Sequence, residues 1–539
     1  MTNLAWSERL VDRLKDTVGF GLPGGASAGG RPARLIASIE DPYPGETARA
    51  DELLHGQYRF LGEERGARGA SPWQVDDASP AWWAEAEAFG WLRDFRANGG
   101  TAAGHKAREL CQGWFQARHP DIAWRPDVVG RRVAAWLAHA GFLLRDADAR
   151  FHGTFLASLG AQVRRLERTA HRAPDGAGRL AAGAALVLAG LALARAERSR
   201  ARGLRLLETE VRRQILSDGG HVSRNPSTLL FAFAELIRAQ STHRALNREA
   251  PSFLGHAVER IAPMLRLLRH GDGGLALFNG GAEESALVID TLLGEAKVNR
   301  APFVSAPHGG YERLHAERLV LCLDAGAPPP RPFDHDAHAG VASFELSVGG
   351  ERLVVNCGAA PVHNVDWRAA SRASAAHSTL VIDDTNAVGL APGGGVNRRP
   401  PPPRVQRRDT DDGSAIEIDH DGYRELFDIH HSRALALAAD GASIEGEDRL
   451  NGGRPTPYAV RFHLHPRVSA SLVQDGRTAL LRLAEGAGWV FATKGGRLAL
   501  EGSVYLGERG ETRRSEQLVI NATHAGRESR IRWRFDRSA

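Results

Sequence analysis

The chain has 539 residues, enough for about two or three domains. Its 42% hydrophobic and 25% charged residues exclude collagen-like, wholly disordered and integral-membrane classes. A net charge of +5, from 69 basic and 64 acidic residues, is too balanced for general nucleic-acid binding. All the basic residues except Lys15, Lys106, Lys297 and Lys494 are arginine. The planar arginine fork suits carboxylate and sulfate groups, although GC-rich coding gives the same bias without a functional cause.

From the N-terminus, residues 1–20 read as a charged amphipathic helix without the continuous apolar core of a secretory signal, so export is not indicated. The helical period continues to about residue 320. In residues 150–173, Phe151, Phe155, Leu159, Val163 and Leu166 share one face, with Arg164, Arg165 and Arg168 on the other. Similar stretches at 84–95, 107–118, 131–144, 200–216, 227–240 and 252–270, joined by short loops, predict antiparallel helical hairpins. Residues 180–196, mostly Ala and Leu with Gly183 and Gly190, are short for a membrane span and read as a buried helix that packs closely. At residues 325–332, AGAPPPRP forbids helix and marks a boundary. Beyond it the period falls to two, as in Ile416/Ile418, Leu435/Leu437 and Ile531/Trp533/Phe535, which predicts an antiparallel sandwich with a long loop over 388–405. The expected domains are therefore a helical one over 1–324 and a β-sandwich over 325–539.

Three clusters could carry chemistry. The first is DGGHVSRNP at 218–226, where His221, Arg224 and Asn225 offer an imidazole for proton transfer beside donors for a carboxylate. The same residues also spell a capped helix junction, with Asn225-Pro226 as N-cap and first turn. The second cluster is GDGG at 271–274 followed by FNGG at 278–281, which lacks a P-loop lysine and defaults to turn chemistry. Nearby, Tyr311 is either an acid–base group or a packed aromatic. The third cluster opens the β half with Asp336, His338, Asn356, Arg368, Arg372 and His377, where imidazoles and polar oxygens could converge on a divalent metal such as zinc or calcium. In residues 461–466, RFHLHP places His463 and His465 on one strand face. Cys111, Cys322 and Cys357 are too scattered for a disulfide framework or thiolate zinc site.

In order along the chain, DGGHVSRNP, GDGGLALFNGG, SFELSVGGERLVVNCG and WRAASRASAAHSTLVIDD resemble the heparinase II/III-like family of polysaccharide lyases. The resemblance implies an incomplete (α/α) toroid followed by an antiparallel β-sandwich, and β-elimination at a uronic acid. In that chemistry a cation or amide neutralises the carboxylate, a Tyr or His removes the C5 proton, and a second protonates the leaving oxygen. It implies catalytic roles for His221, Arg224, Asn225 and Tyr311, substrate contacts from Arg368, Arg372 and Asp336, and a metal site at His338, Asn356 and His377.

The pattern departs from the family at several positions. The family's Asn-His pair falls on Ala177-Gly178, its Tyr-His near Thr228-Leu229, its catalytic His on Asp336, and its metal-binding Asp on Asn356. Two functions follow: a lyase acting on an acidic, heparan-like polysaccharide, or a non-catalytic glycan-binding or cell-envelope protein of the same fold. The family resemblance points to the periplasm or envelope, and the absence of a legible signal points to the cytoplasm. Neither nucleic acid nor a transmembrane segment is expected, and the oligomeric state is left open.

Overall fold

The computed structural model describes residues 33–66, 71–361, 363–473, 476–508 and 510–538. The amphipathic helix expected over 1–20 lies outside them. The chain divides into two compact units, Met1–Thr209 with Arg238–Ala250, and Glu210–Ile237 with Pro251–Ala539.

The described part of the first unit is mainly helical. In helix Ala149–Thr169 the Asp148 carboxylate accepts the Phe151 N–H at 2.7 Å, and the face bearing Phe155, Leu159 and Leu166 is buried, as the 3.6 period predicts. The stretch expected as one helix over 84–95 is instead two, Pro80–Ala88 and Leu92–Asn98, because the chain turns through Phe89 at φ 58°. The small-residue helix Ala177–Ala192 is buried from Leu180 onward. A Cβ on Gly190 would stand 2.3 Å from the Arg200 Cβ, and one on Gly203 would stand 2.6 Å from the Val187 nitrogen, so glycine is what lets these backbones approach. No described helix is long and apolar enough to cross a membrane.

Among the aromatic side chains of this unit lies a fully buried charge. The Arg132 guanidinium sits 4.8 Å from the Trp114 ring and donates to Glu87 Oε2 at 3.1 Å, Gln162 Oε1 at 2.5 Å and the Ala123 carbonyl at 3.0 Å. Glu87 also accepts the Trp114 indole N–H at 2.7 Å.

Among its described residues the second unit carries two large antiparallel sheets and a two-stranded one, Gly389–Leu390 with Val396–Arg398. The first runs in the order Arg497–Tyr505, Arg513–His524, Thr456–Leu464, Glu351–Val355, Phe344–Val348, Leu319–Asp324, Tyr311–Ala316 and Ser305–Ala306, with Leu380–Ile382 paired onto Thr456–Leu464. The second runs Arg404–Thr410, Gly413–His420, Ile429–Ala438, Ser443–Gly452, Glu528–Arg537, Gly488–Lys494, Thr478–Arg482 and Ser469–Leu472. Phe344 from the first sheet stacks on Trp533 from the second at 5.5 Å, inside one apolar core shared by both. The expected sandwich is present.

Its start differs from the expected boundary. Three strands before Asp324 already belong to the first sheet, and residues 325–332 join two neighbouring strands of that sheet. The prolines shape a loop inside the sandwich and do not mark a joint between domains. Within the sandwich, Arg433 and Asp448 face each other across adjacent strands and pair at 2.8 Å, fully buried. Arg433 also donates to the carbonyls of Ala342 and Ser378, which fastens the segments carrying the third cluster to the core.

Removing one partner of a buried ion pair strands the other charge. Glu87→Gln is expected to lower the unfolding free energy by about 3 kcal/mol, read as a shift of the urea midpoint. An unchanged midpoint would show that Arg132 is held without its anion.

Candidate functional site

The turn at 218–220 follows helix Glu197–Gln214 and depends on one glycine. Gly219 has φ 83°, and a Cβ there would meet the Arg260 carbonyl oxygen at 2.0 Å. The Asp218 carboxylate accepts the N–H groups of Gly220, His308 and Gly309 at 3.1, 2.8 and 2.7 Å, tying this turn to the loop ahead of Tyr311. Asn225 Oδ1 then accepts the Thr228 N–H at 3.0 Å at the start of helix Pro226–Ala245. The capped helix junction is therefore real.

The same geometry engages the polar atoms of this loop within the protein. All three guanidinium nitrogens of Arg224 are bonded within the protein: Nε to the Gly309 carbonyl at 2.9 Å, Nη1 to Ala327 at 2.9 Å, and Nη2 to Gly310 at 2.8 Å and Asp324 Oδ1 at 2.5 Å. Burial pulls the Arg224 pKa down and the Asp324 carboxylate more than restores it, leaving it raised. Asn225 Nδ2 donates to the Asn279 carbonyl at 2.9 Å. Tyr311 is buried against Phe278 and Arg224, its hydroxyl donates to the Arg224 carbonyl, and burial pushes its pKa up. His221 takes the Ser223 N–H on Nδ1 at 3.1 Å, so its Nε2–H donates to Gln214 Oε1 at 2.9 Å. Burial lowers its pKa to about 3. As placed here, the four residues form a packed staple with their polar atoms turned inward.

The structure does bring the first and third clusters together, through a residue that sequence reasoning left as turn chemistry. Asn279, at φ 48° and buried, accepts Asn225 Nδ2 on its carbonyl, accepts the His338 N–H on Oδ1 at 3.2 Å, and donates to Asp324 Oδ2 at 3.4 Å. Beside it, a Cβ on Gly280 would stand 3.2 Å from both Asn225 Nδ2 and the Asp336 Cβ. The legible signal was the FNGG spelling itself, since an asparagine before glycine tolerates the left-handed region and presents an amide in a turn.

At the expected metal positions, His377 donates from Nδ1 to the Ala373 carbonyl at 2.7 Å, which leaves its Nε2 as an acceptor. His338 Nδ1 lies 3.0 Å from that Nε2 and donates to it. The facing nitrogens of the two imidazoles are thus spent on each other. Asn356, fully buried, uses Oδ1 to accept the Ser378 N–H at 2.9 Å, and its Nδ2 has no hydrogen-bond partner. Zinc takes lone pairs and favours an anionic ligand, whereas an amide nitrogen offers neither. Among the described residues no three His, Cys, Asp or Glu side chains cluster to hold a cation. This donor set does not fit a divalent metal.

The expected substrate contacts are also engaged within the protein. Arg372 is buried and donates to the carbonyls of Ala337 at 2.8 Å, Gly395 at 2.8 Å and Ala391 at 3.4 Å. Arg368 donates to Asp336 Oδ1 at 2.7 Å and to the carbonyls of His335 and Gly393. The Asp336 side chain is 55% exposed against 11% for Arg368, so the charge this pair presents to solvent is negative.

With this geometry in view, the comparisons are decisive on fold. Residues 298–534 match the family described as heparinase II/III-like, C-terminal. That segment is similar to the C-terminal domain of heparinase II/III-like proteins. It is 27% identical to FtsZ-localized protein C of Caulobacter vibrioides over 547 residues, covering 94% of this chain and 91% of that protein. The crystal structure of heparinase III superposes with a TM-score of 0.72 at 16% identity, covering 94% of this chain and 86% of the other. Heparan sulfate lyase HepC from Pedobacter heparinus gives 0.59 at 17% identity, covering 96% and 85%. The fold is that of polysaccharide lyases.

Two measurements check the site. If Arg224 is a staple, Arg224→Ala strands Asp324 and costs about 3 kcal/mol of unfolding free energy in urea, where a solvent-facing substrate clamp would cost almost nothing. For the third cluster, zinc is expected to leave the melting temperature of the wild type unmoved and to raise that of Asn356→Asp, which adds an anionic oxygen next to two imidazoles. A zinc-dependent rise in the wild type would reverse the reading of the His338–His377 pair.

Proposed function

We propose that this heparinase II/III-like chain has given up β-elimination and works as a non-catalytic protein of the division apparatus, at the place where FtsZ assembles. One observation carries the first half of this reading: the polar groups of His221, Arg224, Asn225 and Tyr311 are bonded to Gln214, Asp324, Asn279 and backbone carbonyls. Abstraction of a uronate C5 proton needs the carboxylate neutralised by a donor that is free to reach it. Asp336, which the resemblance sets at the family's catalytic His, is paired with Arg368 and offers a carboxylate where that chemistry uses an imidazole.

Supporting the second half is the similarity, over nearly the full length of both chains, to a protein named for its localisation with FtsZ. FtsZ acts in the cytoplasm, so this reading takes the cytoplasmic alternative over the envelope. A role in binding acidic glycans loses support for the same reason that the lyase role does.

The purified protein, incubated with heparan sulfate, chondroitin sulfate, hyaluronan and alginate, is expected to give no rise in unsaturated-uronate absorbance. A fluorescent fusion is expected to sit at the division plane, and the purified protein to sediment with FtsZ polymers. An absorbance rise that Tyr311→Phe or Asn225→Ala abolishes would restore the lyase. Absence from both the division plane and the FtsZ pellet would sink the division role.

A further inference from the structure

A second cluster lies in the sandwich, apart from the staple. Strand Thr456–Leu464 places His463 opposite Gln517, and strand Arg497–Tyr505 places Ser503 opposite Ser515, so these side chains share one sheet face. The Leu506 N–H donates to the Cys357 carbonyl at 2.7 Å, and Gly358 bridges to Leu506, which brings Cys357 beside Ser503. A groove of about 560 Å³ opens over this face, lined by Cys357, Trp367, His463, Ser503, Arg514 and Gln517.

The tautomer of His463 follows from its surroundings. Its Nε2–H donates to the Ala375 carbonyl at 2.9 Å, so Nδ1 is the acceptor, and Ser503 Oγ donates to it at 2.8 Å. Cys357 Sγ stands 3.4 Å from the same nitrogen. A hydroxyl bonded to an imidazole that a third group orients is the arrangement that activates a nucleophile. Of the two nucleophiles, Ser503 is half-buried on the groove, while Cys357 is buried.

We propose that Ser503, with His463 as its base and the Ala375 carbonyl orienting that base, forms an acyl-transfer site for carboxylic esters whose apolar part lies against Trp367. In the forward step the Ser503 O–H proton passes to His463 Nδ1 as Oγ bonds to the ester carbonyl carbon. The C–O bond to the alcohol then breaks, and the alcohol leaves with that proton. Water repeats the sequence on the acyl-serine, releasing the carboxylic acid and restoring the Ser503 hydroxyl. Arg514 lines the same groove and offers a cation to the oxyanion formed in each half. No oxidant, reductant or metal enters the balance.

The test uses the full chain with a fluorophosphonate probe and a p-nitrophenyl ester. A single phosphonyl adduct is expected on Ser503 by peptide mapping. Ser503→Ala is expected to lose the adduct and to hydrolyse the ester about 100-fold more slowly. No adduct on the wild type, an adduct elsewhere, or undiminished hydrolysis by Ser503→Ala would overturn the proposal. Mapping the adduct on the wild type keeps the test valid even if a variant folds poorly. It is also independent of uronate cleavage, so its failure is distinguishable from failure of the division role.

Discussion

The ion pair between Arg224 and Asp324 is the constraint on which the candidate site depends. It joins the loop that caps helix Pro226–Ala245 to the end of strand Leu319–Asp324, and the same guanidinium gathers three carbonyls from the segments on either side. A buried guanidinium is tolerable only when its charge is paired and its donors are filled. The charge is paired with Asp324 and four of the five N–H donors are bonded to groups of the fold, which leaves at most one for a ligand. Tyr311 and Asn225 follow from it: the tyrosine donates to the carbonyl of Arg224, and the amide of Asn225 is held by Asn279, which itself donates to Asp324.

Lyase chemistry requires free donors that meet a carboxylate and a base free to reach the C5 proton. Here the loop imidazole is bonded through both ring nitrogens, to Ser223 and Gln214, and the phenol is bonded to the Arg224 carbonyl. Burial pushes the phenol's pKa up, outweighing the Arg224 cation beside it. In the third cluster, the exchange of an anionic ligand for Asn356 goes with a direct His338–His377 hydrogen bond, which occupies the nitrogens a cation would need. In the proposed reading the fold is kept while internal contacts take up the groups that elimination would use.

Much of the architecture was legible because it rests on periods. Phe151, Phe155 and Leu159 repeat at helical spacing and are buried together, and Ile531, Trp533 and Phe535 alternate and point into the sandwich. What failed to read were local exceptions. Phe89 breaks a helix by adopting a left-handed conformation that no spacing announces, and the proline run at 325–332 looks like a linker because proline excludes helix in a loop and a boundary alike. The first and third clusters do lie together, joined through Asn279, but what each side chain bonds was not legible. Whether Arg224 faces a substrate or a carboxylate one hundred residues away is decided by a long-range partner, Asp324, in a strand whose apolar pattern gives no hint of it. The converging residue Asn279 was hidden for a similar reason, since its turn spelling is satisfied with or without the three contacts it makes.

The two polar clusters of this unit differ in one respect that bears on where function can reside. In the staple the Arg224, Asn225 and Tyr311 side chains are buried and bonded to Asp324, Asn279 and backbone carbonyls. At His463 the orienting bond comes from behind, from the Ala375 carbonyl, and the free side of the ring meets a hydroxyl on a groove. A polar network closed on itself adds rigidity, whereas one open on a single side leaves a group able to exchange partners without unfolding its surroundings. Conversion of a lyase scaffold to another role would therefore leave its old catalytic loop as structural ballast, tightly packed and intolerant of substitution. Reactivity would reside in the strand-built face, where the bonding is incomplete.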